Sequence, residues 1–145
     1  ENAEVVDEYQ LQPFAMTVQT LDRTLIDKVF ALCDYYLEGK IKRHSRHIYD
    51  IYMLLPRVTV DDAFCHLVGE VRKHRAKMTI CPSAQPGVNI PALLEEILSK
   101  GIYKQDYDTI TNYFQNQPLS YDEAITAIRQ IEDCGAFDTM KQDLK

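Results

Sequence analysis

Residues 20–56 read TLDRTLIDKVFALCDYYLEGKIKRHSRHIYDIYMLLP, and the pattern predicts two helices joined by a short basic connection. Apolar residues recur at helical spacing from Leu25 to Leu37, and Gly39 stands where a glycine commonly ends a helix. A shorter second helix is expected over residues 45–55, before the helix-stopping Pro56. The two helices would gather several lysines and arginines into one part of an otherwise acidic chain.

Charged residues on the two helices allow two interpretations. Asp50 follows Arg46 by four residues and His47 by three, so a helix places all three on one face. They are either ordinary surface charges, with Lys28 laying its stem on apolar surface, or a carboxylate held among cations. Such a carboxylate could act as a base or help to hold a metal. A metal site that includes His44 is the weaker interpretation, because no cysteine lies nearby, so phosphate or solvent contacts are expected instead.

The strings RTLIDKVFAL (residues 23–32) and SRHIYDIYML (residues 45–54) are more specific than these spacings. They closely resemble two motifs of the AbiEii/AbiGii-type nucleotidyltransferase toxins, a bacterial group of abortive-infection and type IV toxin–antitoxin proteins. That family has a DNA polymerase β-like nucleotidyltransferase fold. The resemblance implies that Lys28 holds nucleotide phosphates and that Asp50 is needed for catalysis.

Further nucleotide-binding residues follow from the same resemblance. The string KHRAKM (residues 73–78) is similar to a later family segment. The implied nucleotide-binding set is Lys28, Arg23, Arg46, His47 and Arg75. The family's activity implies Mg²⁺ and a nucleoside triphosphate, with a nucleotide transferred to an acceptor, most plausibly the end of a tRNA, and a cognate antitoxin as partner.

One departure from the family pattern concerns the metal-binding carboxylates. The resemblance implies a Gly-Ser turn followed by an Asp-x-Asp pair that binds magnesium. This chain has no Gly-Ser dipeptide, and its one Asp-x-Asp, at residues 106–108, falls in a helical stretch that we interpret as a solvated face. We therefore expect the C-terminal half of a longer protein, inactive by itself and without a metal ligand of its own.

The expected fold is mainly α: a bundle of five to six helices preceded by one short strand. Residues 1–20 would be an acidic lead-in and the last strand of the missing nucleotidyltransferase core, and residues 21–145 the helical domain. The strand is read from the alternation between Phe14 and Val18. Its exposed edge, over residues 13–20, would offer a route to a dimer.

Later helices are marked by their caps and apolar positions. We expect starts at Thr59 and Ser120, and a helix over residues 90–101. Aromatic residues at helical spacing are expected to pack mainly in the core rather than to stack on bases. These aromatic residues are Tyr103, Tyr107, Tyr113 and Phe114.

Charge and cysteine content restrict the function classes. The formal net charge of −6 argues against broad nonspecific nucleic-acid binding. Basic clusters at residues 40–46 and 72–77 nevertheless favour a localised polyphosphate or RNA end, although helix ends also attract cations. The four cysteines form no Cys-x-x-Cys pair, and no signal peptide or membrane-spanning run is apparent, so a reduced, cytoplasmic protein is expected.

Two other function classes stay open. The chain would be a non-catalytic helical module that binds an antitoxin or another protein if its motif residues are relics. Arg43 and His47 also invite a ribonuclease interpretation, but their spacing does not resemble the usual arginine–histidine motif of small helical ribonucleases.

Overall fold

The computed structural model describes residues 18–138, which form a helical fold with no strand in that range. The mainly helical architecture is therefore confirmed. The α-helices are α1 (Leu21–Leu37), α2 (Arg46–Leu54), α3 (Asp62–Ala76), α4 (Ile90–Lys100), α5 (Lys104–Asp106) and α6 (Tyr121–Asp133). Short 3₁₀ turns cover Leu55–Arg57 and Pro82–Ala84, and a π-helical turn, Tyr107–Thr111, continues α5.

The strand predicted over residues 13–20 lies mainly outside the described part of the chain. Its last three residues, 18–20, are described and belong to no strand. Among the described helices, none is both long enough and apolar enough to traverse a bilayer.

Helix α1 is the element on which the others pack. It contacts α2, α3, α4 and the 82–84 turn, while α6 closes the far side against α2 and α4. The face of α1 that its spacing predicts as apolar is fully buried, from Leu25 to Cys33. Rings of Phe30, Phe64 and Phe137 meet edge to face in this core, with Phe137 5.9 and 6.3 Å from the other two.

Helix ends follow the capping pattern of the sequence, with one correction. The Ser120 hydroxyl accepts the N–H of Glu123, and Gly39 follows the end of α1 with a φ of +71°, both as expected. Gly101 ends α4 in the left-handed region as well. Helix α3, however, is capped by Asp61 and not by Thr59. The Asp61 carboxylate accepts the N–H of Phe64 at 2.8 Å, and its charge also suits a helix N-terminus better than a hydroxyl does.

The aromatic stretch divides into buried and exposed halves. Tyr103 and Tyr107 are fully buried, which confirms the core assignment for that part. For Tyr113 and Phe114 the assignment is wrong, since both rings face outward. The π-helical turn widens the helix before them, and regular helix is lost after Thr111, so the helical spacing that linked Tyr107 to Phe114 does not hold.

Two glycines provide a matched test of backbone conformation. Gly101 has φ of +56°, so Gly101→Ala should lower the free energy of unfolding by about 1–2 kcal/mol. Gly69 lies inside α3, and a Cβ there would meet nothing within 4 Å, so Gly69→Ala should raise it by up to about 1 kcal/mol. Urea unfolding of both variants measures the difference, and equal effects would contradict the left-handed cap.

Candidate active site

Lys28 and Asp50 are brought together by the packing of α1 against α2. The Lys28 Nζ atom lies 2.9 Å from Asp50 Oδ2, and their side chains are 31% and 35% exposed. The pair therefore joins the two motifs at a position that solvent and ligands can reach. Arg46, one turn before Asp50, is exposed, and within residues 18–138 no ion pair connects it to Asp50.

His47 lies behind this pair and is almost completely buried, with 6% of its surface exposed. Neither ring nitrogen has a hydrogen-bonding partner among the described residues. Burial, followed by the nearby positive charges of Lys28 and Arg46, lowers the pKa of His47 to about 4. At neutral pH His47 is therefore a neutral imidazole with one N–H to donate and one nitrogen to accept.

A stack of rings extends the site along α1. The ring of Tyr35 lies 3.7 Å from that of His44 and 5.5 Å from that of His47, in near-parallel planes. Burial, followed by the charge of Arg46, also lowers the pKa of His44. No group of three or more histidine, cysteine or acidic residues converges on a metal-binding arrangement within residues 18–138. These histidines are thus packed against a tyrosine rather than gathered as ligands.

Arg75 and Arg23 lie in an ion-pair network on another side of α1. The Arg75 guanidinium contacts Asp27 at 3.1 Å and Asp34 at 2.8 Å, and is only 15% exposed. Arg23 Nε lies 3.5 Å from the second oxygen of Asp27. The Ser83 N–H and hydroxyl both donate to Asp34, so this network attaches α3 and the 82–84 turn to α1.

The second basic cluster is not the open patch that the sequence suggests. Arg72 is buried and donates to the carbonyls of Gln85 and Val88, at 3.1 and 2.6 Å. Arg75 is occupied by carboxylates, and only Lys73 and Lys77 are exposed. The prediction of a four-cation surface is wrong here because the loop after α3 folds back and uses arginine donors to satisfy its carbonyls.

Asp106 was missed as a structural residue, and its interpretation as part of a solvated face is wrong. The carboxylate is buried and accepts the N–H of Arg43 at 2.8 Å and that of Ser45 at 3.2 Å. It also accepts the Ser45 hydroxyl, which lies 2.6 Å from the Thr111 hydroxyl. Asp106 thereby fixes the connection between α1 and α2, where Arg43 has a φ of +70°. A signal was present, since Asp106 is three residues after the core residue Tyr103.

The fold and these contacts define a helical protein with a charged, partly exposed site between its first two helices. The model of one protein family, described as the nucleotidyl transferase AbiEii toxin of a type IV toxin–antitoxin system, matches residues 2–128. The chain belongs to this family, which confirms the resemblance and implies an antitoxin partner. No curated protein and no solved structure matches the chain.

Acid should destabilise the protein through His47. Its pKa in the folded chain, about 4, is below the ordinary 6.5, so the neutral form is favoured by folding. The associated stability is present above pH 6.5 and is lost as the pH falls toward 4, by up to roughly 3 kcal/mol. Urea unfolding between pH 7.5 and 4.5 should show that loss, and His47→Phe should reduce it. His66→Gln, at an exposed histidine, is the control. If His47→Phe leaves the dependence of the unfolding free energy on pH unchanged, the low pKa of His47 is contradicted.

Removal of the Asp106 carboxylate should loosen the connection before α2. Asp106→Ala leaves two backbone N–H groups and a hydroxyl without their acceptor, at a cost of about 1–3 kcal/mol or more. Hydrogen exchange at the Arg43 and Ser45 amides should accelerate. The matched control is Asp108→Ala, which breaks only an exposed pair with Lys104 and should change stability by less than about 1 kcal/mol. Equal effects of the two variants would show that Asp106 has no special role.

Proposed function

We propose that this chain supplies the helical part of a nucleotidyltransferase active site, which moves a nucleotide from a nucleoside triphosphate to an acceptor hydroxyl. The observation that carries the proposal is the contact between Lys28 and Asp50. Each residue comes from a different motif of the family to which the chain belongs, and both remain partly exposed. A cation and a carboxylate side by side suit a reaction that must bind phosphates and also remove a proton.

Lys28 holds the phosphates of the triphosphate. Its ammonium has three N–H donors, and its ion pair with Asp50, at 2.9 Å, occupies only one side of the group. The remaining donors are free to reach phosphate oxygens from the exposed side. A lysine acts here as a compact point charge that follows the phosphates without demanding a fixed geometry.

Asp50 orients the acceptor hydroxyl and accepts its proton. The hydroxyl oxygen attacks the α-phosphorus, a new P–O bond forms, and the bond to the bridging oxygen of the pyrophosphate breaks. The proton passes to the Asp50 carboxylate, and pyrophosphate leaves. The acceptor is the end of a tRNA, as the resemblance implies.

The roles of the neighbouring basic residues depend on whether their side chains are already engaged in ion pairs. Arg46 is exposed one turn from Asp50 and is placed to contact phosphate oxygens. His47 is neutral and buried behind the Lys28–Asp50 pair, and we propose that it supports nucleotide binding from there, with ring nitrogens that have no partner among residues 18–138. Arg23 and Arg75 are already paired with Asp27, so they act on the nucleotide mainly by positioning α1 and by their charge.

Magnesium, which the family uses with its nucleotide, is not matched by the described residues. Asp50 is one carboxylate, and within residues 18–138 it has no companion set of metal-binding side chains. We therefore propose that the Gly-Ser turn and Asp-x-Asp pair lie upstream of Glu1 in a longer protein, and that residues 1–145 alone are inactive. The coding sequence before Glu1 tests this directly, and an upstream half without those carboxylates would favour the antitoxin-binding module instead.

In the complete protein, Asp50→Ala should abolish transfer and leave the fold intact. The pair with Lys28 is partly exposed, so its loss should cost less than about 1 kcal/mol of stability. Transfer is measured as incorporation of label from an α-labelled nucleoside triphosphate into total tRNA. Asp108→Ala is the matched control, because it also breaks an aspartate–lysine pair, at 2.7 Å, and should retain activity. Undiminished transfer by folded Asp50→Ala protein would refute the assignment.

A further inference from the structure

Two aromatic rings stand outside the core next to the π-helical turn. Tyr113 and Phe114 are 79% and 74% exposed, and their rings meet edge to face with centroids 5.2 Å apart. The loop that carries them is closed by the side chain of Asn112, which accepts the N–H of Leu119 at 3.0 Å. A pair of large rings held on the surface by an ordered loop is the kind of patch that commonly contacts a ligand or partner.

The basic connection between α1 and α2 lies beside this loop. The Thr111 hydroxyl, two residues before Tyr113, is 2.6 Å from the Ser45 hydroxyl. Immediately around Ser45 the chain exposes a group of cations that ends at the first residue of α2. This group is Lys40, Lys42, Arg43 and Arg46. Asp106 binds the backbone on both sides of His44, and the Ser45 hydroxyl in turn contacts Thr111, so the basic connection is attached to the π-helical turn that precedes the aromatic loop.

The acidic residues of this region are largely engaged in contacts of their own. Asp106 is buried in the hydrogen bonds just described. The Asp108 carboxylate pairs with Lys104 at 2.7 Å, and Glu123 accepts the Tyr52 hydroxyl at 3.0 Å. Lys40 is paired with Glu38 at 2.7 Å. The chain as a whole has a net charge of −6, yet Lys42, Arg43 and Arg46 are exposed here and form no side-chain ion pair among residues 18–138.

We propose that the basic connection and the Tyr113–Phe114 pair together bind single-stranded RNA. The cations neutralise phosphates along the strand, and the rings stack on unpaired bases. Protein surfaces that bind single-stranded nucleic acid without sequence preference commonly combine these two kinds of contact. The inference rests on the proposed function, since it places the acceptor RNA on a surface that begins one residue before His47 and four before Asp50 on α2. An acidic protein partner is the alternative occupant of this surface, and a measurement of RNA binding in the absence of any other protein distinguishes the two.

Binding to RNA is measured without any nucleoside triphosphate, so it is independent of transfer. The probe is a fluorescein-labelled, mixed-sequence single-stranded oligoribonucleotide of about 12 nucleotides, followed by fluorescence anisotropy with the full chain. The double variant Tyr113→Ala/Phe114→Ala should raise Kd by about fivefold or more. The double variant Lys42→Gln/Arg43→Asn should flatten the salt dependence of log Kd by about 2, with asparagine chosen because it tolerates the positive φ at this position.

Controls come from the segment between α2 and α3. Val60→Ala and Arg57→Gln remove an exposed apolar residue and an exposed cation there, and both should leave Kd unchanged. Because RNA binding is measured without nucleoside triphosphate and without transfer, its result is separate from the test of Asp50 in the proposed function. Failure of the wild-type chain to bind the RNA would overturn the inference. An unchanged Kd in the aromatic variant would also overturn it. So would an aromatic variant that no longer binds the purified antitoxin but still binds the RNA.

Discussion

The hydrogen bonds of the buried Asp106 carboxylate fix the connection between the first two helices. Three donors from Arg43 and Ser45 converge on it, and Ser45 is the residue from which α2 starts. Each of these donors, left unpaired, would cost about 1–3 kcal/mol. Arg43 is held at φ of +70°, a conformation that persists in a residue with a side chain only where its surroundings enforce it. The placement of Asp50 against Lys28 thus depends on a carboxylate from a different part of the chain.

Helix α1 contributes side chains to two polar clusters, because residues seven positions apart lie on the same face of a helix. Asp27 and Asp34, seven residues apart, share a stripe that faces Arg75. Lys28 and Tyr35, shifted by one residue, share the adjacent stripe that faces α2. One helix therefore carries a partly buried ion-pair network and the candidate site side by side. A network of this kind is weak evidence for stability by itself, but loss of one member would leave an uncompensated charge, so it holds α1 in a single orientation.

Periodicity and capping were sufficient to predict most of the fold. The apolar stripe of α1, the cap at Ser120 and the helix end at Gly101 depend only on residues close together in the chain. The structure contains all three. Lys28 and Asp50 were each selected by motif resemblance, and their contact is visible only in the structure, because no spacing within one helix links residues on two helices. What the sequence could not provide was the partner of each polar group. Asp106 and Arg72 look like surface residues until the loops that they bind are in place.

The same distinction explains why Arg75 and the exposed aromatic pair were placed differently from expectation. An arginine at a helix C-terminus is ordinarily solvated, and two carboxylates on α1 draw this one inward. A run of aromatics at helical spacing is ordinarily core, and a π-helical turn rotates the last two outward. In both cases the competing effect is tertiary: a partner on another helix or a local change in helical pitch. Neither leaves a periodic trace in the sequence.

Three of the seven buried side-chain polar atoms that lack a partner among residues 18–138 belong to histidines at the candidate site. Buried side-chain atoms without a partner among residues 18–138 include both nitrogens of His47 and Nδ1 of His44. Their burial disfavours charge, which is why the pKa of His47 is low. A core built only for stability would place apolar side chains there, because unpaired polar atoms in a low-dielectric setting cost free energy. Retaining them next to a partly exposed lysine–aspartate pair is the pattern expected where a ligand or another part of the protein supplies the missing partners, while α1, α3 and α6 provide the stability.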